Sequence, residues 1–265
     1  MRWGWAMLAA AAAAVALPAD AQALRELCTT RPGLGTSACT VDPGHVLIET
    51  GLADWQRDAG DDGVEKTLLL GDLLARIGLT DTSEVQLGLT GYGRVSERDE
   101  GGVIRRHRVG DALIAFRQNL SNPDGSGFSA AIEPLVTLPV GRRPVGAGTW
   151  SAGLIVPVDY EFSDVLQLQL SPEVDAAADE DGAGRHLAWG GVVGLDVHLT
   201  ETAEIDLEVQ AVRDRDPGGH STLLLAGAAA AWQPGDDWQL DIGSAFGLNA
   251  DSPDVRVYAG IVRRF

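Results

Sequence analysis

The sequence predicts an all-β fold, an antiparallel transmembrane β-barrel of about twelve strands. Three observations carry that prediction. Segments of alternating apolar and polar residues recur from Gly44 to Phe265, separated by turn signals. The connections between them alternate between short and long. Aromatic residues gather at both ends of the alternating segments, where a membrane barrel carries its interfacial girdles.

The first 21 residues read as a secretory signal peptide. Arg2 precedes an apolar, Ala-rich run up to Leu17, and Pro18-Ala19-Asp20-Ala21 offers a small-x-small cleavage site, so the mature chain is expected to start near Gln22. The run is too short and too poor in bulky side chains to span a bilayer. No later stretch is long and apolar enough for a spanning helix. A chain of this kind enters a membrane only as a closed barrel, the other arrangement that satisfies every backbone polar group. The formal net charge of −18 argues against nucleic acid, whose phosphates would repel it.

Residues 22–43 read as an irregular periplasmic segment, punctuated by Pro and Gly. Cys28 and Cys39 are the only cysteines. Their proximity in an exported chain predicts one disulfide closing a short loop. Their spacing excludes a catalytic CxxC, and two cysteines with no nearby His make a poor metal site. No metal site and no cofactor is expected.

The barrel is expected over residues 44–265. Period-two alternation places strands at about 44–55, 64–79, 84–95, 106–120, 127–140 and 150–162, then 165–176, 186–199, 203–213, 220–233, 237–248 and 254–265. Short connections, such as Thr80-Asp81-Thr82-Ser83, Ser163-Asp164 and Thr200-Glu201-Thr202, are expected to face the periplasm. Gln56–Gly63, Ser96–Arg105, Gly141–Thr149, Ala177–Arg185, Asp214–Gly219 and Asn249–Pro253 are expected as outer loops. An even number of strands returns the C-terminus to the side from which the barrel began.

The faces can be read in several strands. Trp150, Leu154, Val156, Val158, Tyr160 and Phe162 oppose Pro157, Asp159 and Glu161. Leu187, Trp189, Val193, Leu195 and Val197 oppose His186, Asp196 and His198. Ile205, Leu207 and Val209 oppose Glu204, Asp206 and Glu208. A two-sheet sandwich would show the same alternation. Trp150 and Trp189 near the outer ends, with Tyr160, Phe162, Trp232 and Trp238 near the periplasmic ends, favour the barrel. The Ala-Gly run after Leu223-Leu224-Leu225 has no clear phase.

The last stretch, Asp254 to Phe265, alternates Val255, Val257, Ala259, Ile261 and Phe265 against Arg256, Tyr258, Gly260, Val262 and Arg264. A terminal Phe closing such a strand resembles the assembly signal of bacterial outer-membrane barrels. Arg263 shares the lipid-facing parity of Phe265, where its charge would snorkel to the headgroups. A wider resemblance runs through Cys28-Thr29-Thr30-Arg31-Pro32-Gly33, Cys39 to Gly44, Ile48-Glu49-Thr50-Gly51 and Gly71 to Thr80. Gly110-Asp111, Leu138 to Gly141 and Gly148-Thr149-Trp150 continue it. These stretches resemble the outer-membrane family associated with the meta-cleavage pathway of phenol degradation, whose members are often labelled "transporter". The resemblance implies a barrel in the bacterial outer membrane with a role in uptake of small molecules, aromatic or hydrophobic ones among them.

The inferred inward face is rich in ionisable groups. The pore candidates are Glu49, Asp72, Arg76, Asp111, Arg117, Glu133, Asp159, Glu161, Asp196, His198, Asp206, Glu208, Asp241 and Arg256. Acids outnumber bases, which predicts a water-filled passage favouring cations or neutral solutes by passive diffusion. The competing expectation is a plugged, structural or adhesive barrel held by pairs such as Glu49 or Asp72 with Arg76 or Arg117. Catalysis is not expected: neither GxSxG nor HExxH occurs, and Asp196 with His198 reads as a polar pair. The acidic runs Asp58/Asp61/Asp62, Glu97/Asp99/Glu100 and Asp179/Glu180/Asp181 read as solvated loops. The expected partners are outer-membrane lipid, the barrel assembly machinery and a small solute.

Overall fold

The structure is a computed structural model that describes residues 24–60 and 63–265. The signal peptide and its cleavage site lie outside the described residues, as do Asp61 and Asp62. Fourteen strand segments form one antiparallel sheet closed on itself. They are β1 (Val46–Gly60), β2 (Gly63–Thr80), β3 (Ser83–Asp99), β4 (Gly102–Arg108), β5 (Ala112–Ser121), β6 (Phe128–Leu138) and β7 (Ser151–Ile155). Then come β8 (Val158–Ser163), β9 (Leu166–Ala178), β10 (Arg185–Thr200), β11 (Ala203–Asp216), β12 (Gly219–Gly235), β13 (Trp238–Gly247) and β14 (Val255–Arg264). No helix among the described residues is long and apolar enough to cross a membrane.

The fourteen segments make twelve staves, because two staves are interrupted. The predicted fourth strand divides into β4, paired with the outer part of β3, and β5, paired with its inner part. Gly110 lies at the break, where an added Cβ would come within 2.6 Å of the Thr90 side chain. The predicted sixth strand divides into β7 and β8 at Val156-Pro157. Proline has no N–H for the ladder. The Ala131 N–H donates to the Pro157 carbonyl and the Val156 N–H to the Pro172 carbonyl, so the wall stays closed across the break. β14 pairs with β1, Ile48 opposite Arg263, and Val46 exchanges both backbone hydrogen bonds with Phe265.

Three predicted outer loops are corrected, and in one of them, Asp214–Gly219, β11 runs to Asp216 and pairs it with Gly219 of β12. β1 and β2 run on through most of Gln56–Gly63, and β3 and β4 through most of Ser96–Arg105, so both are extended hairpins. Charged residues there alternate along strands that continue past the apolar band, and polarity alone reads as a loop.

The faces follow the alternation. Trp150, Tyr160, Phe162, Trp189, Trp232, Trp238 and Phe265 stand exposed on the outside. Arg185 lies over the Trp150 ring, Arg215 over Trp189 and Arg263 over Trp238, so cations cap indoles at both ends of the barrel. Arg263 also approaches Phe265, which accounts for a charge on the outer face. In β12, which has no readable phase, Leu225, Ala229 and Ala231 are buried inward and Trp232 faces out. The interior is largely polar. Leu27, Val41, Leu47 and Val262 form a small apolar cluster beside the β1–β14 seam.

Candidate functional site

The interior of the short-turn half is occupied by the chain's own N-terminal segment. The segment touches the short turns at Asp81, Pro123 and Asp237 through Arg25, Thr40 and Arg264. Between them, residues 28–42 thread the barrel and are held by inward side chains of almost every stave. Cys28 and Cys39 form a disulfide with Cα atoms 5.9 Å apart. The segment expected as a periplasmic lead-in is therefore inside the barrel.

On β1, β2, β3, β5 and β6 the grip is a guanidinium–carboxylate network. Arg76 is fully buried and donates to both carboxylate oxygens of Glu84 at 2.8 and 3.0 Å, and to Glu49 at 3.1 Å. Its remaining hydrogens reach the carbonyls of Cys28 at 2.8 Å and Cys39 at 3.3 Å. Arg117, also fully buried, donates to Glu133 and to the Cys39 carbonyl and lies 3.7 Å from Glu84. Gln86 bridges Glu84 and Glu133. Glu84 in turn accepts the Val41 N–H, and Glu49 accepts the Thr30 N–H and hydroxyl. Charges removed from water are tolerable here because each carboxylate meets a guanidinium and Arg76 is fully partnered, while Arg117 Nη2 is buried without a partner among the described residues. A segment without strand or helix thus has its backbone groups satisfied by wall side chains.

The other staves hold the segment with carboxylates. Asp159 accepts from the Ser37 hydroxyl and the Ala38 N–H, at 2.8 and 2.7 Å. Glu208 accepts the Leu34 and Gly35 N–H groups. Asp241 makes a two-point pair with Arg31, at 2.7 and 3.1 Å. Leu34 packs against Gly227 and Arg31 against Gly260, where a Cβ would meet the guanidinium at 2.3 Å.

The remaining candidates fall into three groups. Asp72 and Arg256 stand nearer the outer half. Asp72 is exposed and accepts from Thr90 at 2.8 Å, and Arg256 pairs with Asp54 at 2.6 Å. Of the pairs that the sequence reading offered, Glu49 joins Arg76 and Asp72 does not. Asp196, Asp206 and His198 line the β10–β11 wall, with His198 3.6 Å from Glu204. Glu161 accepts the Gly127 N–H at a turn.

Asp111 lies at the β4–β5 break and accepts the Gly141 and Ala147 N–H groups, so it ties down the 141–147 loop. That loop lies over β3, with Val145 against Gly93. Alternation gives the side of the barrel and not the loop that such a residue holds.

Sequence reasoning missed Arg31, Asp54 and Gln239. A bulge between Gly51 and Ala53 shifts the phase of β1 and turns Asp54 toward Arg256. Gln239 is fully buried and donates to the Arg31 carbonyl. The available signal was the surplus of Arg and Glu at one level of neighbouring strands, which needs something polar to enclose.

At the outer rim the structure joins the acidic run at Asp179, expected to be merely solvated, to the end of β11. His186 places Nδ1 2.9 Å from Asp179 and Nε2 3.0 Å from Asp214, with Asp216 at 3.4 Å. Ligand atoms of Asp179, His186 and Asp216 lie within 4.8 Å of one another. An imidazolium donating from both nitrogens satisfies this geometry without an ion. Asp179, Glu180, Asp181, Asp216, Pro217 and Gly218 line a shallow cavity of about 290 Å³ beside it.

Solved structures share this architecture. An outer membrane channel from Pseudomonas putida F1 superposes with a TM-score of 0.73 at 15% identity, covering 89% of this chain and all of the other. The KdgM porin, solved in complex with disordered oligogalacturonate, gives 0.52 at 9% identity over 83% of this chain and 99% of its own. The translocator domain of the autotransporter NalP from Neisseria meningitidis gives 0.50 at 14% identity over 84% and 88%. No curated protein matches the chain in sequence. The closed barrel, apolar outside and polar within, is the fold of a bacterial outer-membrane protein. A family model matches residues 29–265, and the chain belongs to the family described as "Putative MetA-pathway of phenol degradation".

Proposed function

We propose that the barrel is an outer-membrane channel through which small molecules diffuse passively, with aromatic and hydrophobic compounds among its solutes. The observation that carries this reading is the contrast between its faces. Outward side chains are apolar, while inward positions hold Asp54, Asp72, Asp196, Asp206 and Arg256, several of them open to water beyond the N-terminal segment. A lumen in which acids outnumber bases favours cations and neutral solutes over anions. Likeness to a P. putida outer membrane channel, and a family linked to phenol degradation, support small-molecule uptake. Passage needs no chemistry of its own, so no catalytic residue or cofactor is assigned. Phe265, exposed beside Arg263 and Trp238, is the proposed signal for the assembly machinery.

The N-terminal segment favours a second reading, a plugged structural or adhesive barrel, because its network with Arg76 and Arg117 closes much of the short-turn half. Single-channel recording of the refolded protein in a planar bilayer under a salt gradient separates the two. Discrete steps with a cation-selective reversal potential are expected. A barrel that inserts without conducting would overturn passage of ions and leave the structural reading, with uptake of labelled aromatic compounds by vesicles as the next measurement.

A further inference from the structure

The outer ends of β2, β3 and β4 separate their charges by face. Asp54 faces the lumen, where it meets Arg256. The register carries that face from Asp54 to Leu69 on β2 and on to Gly93 on β3, which Val145 of the 141–147 loop covers. The same inner face holds the cross-strand row Asp58, Glu65 and Glu97, with Arg106 paired to Glu97. Lys66, Arg94, Ser96, Arg98 and Arg105 have the opposite parity and face outward.

Ser96 is the centre of that outward group. Lys66 stands opposite it on β2 and Arg105 opposite it on β4, while Arg94 and Arg98 lie two residues to either side on β3. Opposed side chains in an antiparallel pair are about 4.5–5.5 Å apart at Cβ, and positions two apart along a strand about 7 Å. Four cations thus surround one hydroxyl, and no carboxylate shares their rows. Other outward cations at this end are engaged. Arg57 pairs with Asp254, Arg213 donates to Thr222, and Arg185 and Arg215 lie over Trp150 and Trp189. Lys66, Arg94, Arg98 and Arg105 have no ion-pair, hydrogen-bond or ring partner among the described residues, a condition that only Arg142 shares.

The neighbours of the group set its height. Toward the middle of the barrel the same face continues through Leu68, Leu70 and Tyr92, of which Leu70 and Tyr92 are exposed. The Tyr92 hydroxyl lies 2.6 Å from Nδ1 of His107, which is on the row of Arg94. A ring whose polar end points away from an apolar band marks a membrane interface. The cations therefore stand at the level of lipid headgroups. Guanidinium, ammonium and hydroxyl groups converging without an acceptor of their own suit a phosphate oxygen.

We propose that Lys66, Arg94, Ser96, Arg98 and Arg105 bind the phosphate of an anionic lipid in the outer leaflet. The headgroup supplies the counter-charge that this face lacks, and its acyl chains lie along Leu68, Leu70 and the apolar band below. The site goes beyond the channel reading and is independent of it, since a closed barrel would hold the lipid equally well.

The test is native mass spectrometry of the folded protein in uncharged detergent, titrated with bisphosphorylated lipid A and, separately, with dephosphorylated lipid A. Inorganic phosphate serves as competitor. Arg94→Gln with Arg98→Gln, and Lys66→Gln with Arg105→Gln, are compared with an outward pair on β11, Arg213→Gln with Arg215→Gln. A heat-resistant compact band on gels checks that each variant is folded. The wild type is expected to prefer the phosphorylated lipid, and either pair of substitutions around Ser96 to weaken its binding by about thirtyfold. The β11 variant is expected to bind as the wild type does. Equal binding of the dephosphorylated lipid would overturn the proposal, as would unchanged binding in both Ser96-side variants or an equal loss in the β11 variant. Displacement of the lipid by inorganic phosphate would overturn it too, by making this a site for free anions.

Discussion

The wall formed by β1, β2, β3, β5 and β6 and the wall formed by β10 and β11 carry similar numbers of inward carboxylates and treat them in opposite ways. On the first, Glu49, Glu84 and Glu133 are matched by Arg76 and Arg117, and the same guanidiniums reach through to the backbone of the N-terminal segment. On the second, Glu208 is satisfied by two N–H groups while Asp196 and Asp206 face each other without a cation. The excess negative charge of the sequence is therefore not spread through the lumen. It is neutralised beside Arg76 and Arg117 and left unpaired at Asp196 and Asp206. The lesson is that counting lumen acids says little until each is assigned a partner.

Four substitutions break or sharpen this contrast. Arg76→Ala strands Glu84 and Glu49 in a dry site, and breaking a buried pair from one side costs about 3–5 kcal/mol. The urea midpoint of the folded barrel should fall accordingly. Replacing Cys28 and Cys39 together with Ser releases a loop of sequence separation 11, for which a loss of about 2–3 kcal/mol is expected. Limited proteolysis should then cut the segment before the wall. Gly78→Ala would set a Cβ 2.1 Å from the Asp42 carbonyl oxygen. Overpacking of this kind costs about 1–3 kcal/mol, read as accelerated cleavage near residue 42 in an otherwise intact barrel. On the opposite wall the sign should reverse. Asp206→Asn, measured without divalent cations, relieves a like-charge pair and should stabilise by about 0.2–1 kcal/mol. Destabilisation by Asp206→Asn in EDTA would show that the second wall is compensated after all, and the contrast would be lost.

Much of the wall is legible in the sequence because alternation reports which side of a strand meets water and which meets lipid. Trp150, Trp189 and Trp238 fall on the outside as their parity requires, and Glu49, Arg76, Arg117, Glu133, Asp159 and Glu208 on the inside. What alternation cannot report is a break in its own phase. The bulge after Gly51 hides Asp54, and nothing in the alternation shows that Asp111 anchors the 141–147 loop. The placement of residues 28–42 is illegible for a different reason. A segment bound through its N–H and C=O groups needs no particular side-chain period, so its sequence is free to look like a linker. The information about it sits instead in the wall residues that receive it.

The pairing of β1 with β14 has a consequence for how the molecule comes to exist. Val46 bonds to Phe265, so the contact that completes the cylinder joins the two ends of the barrel-forming sequence. Contacts between such distant positions carry the heaviest loop-closure entropy and form late. The segment just before β1 lies against that same junction, with Arg264 donating to the Arg25 carbonyl. In the folded molecule the occupant of the barrel and the seam that closes it are therefore held at one place, and whatever loosens that seam loosens the occupant's hold as well.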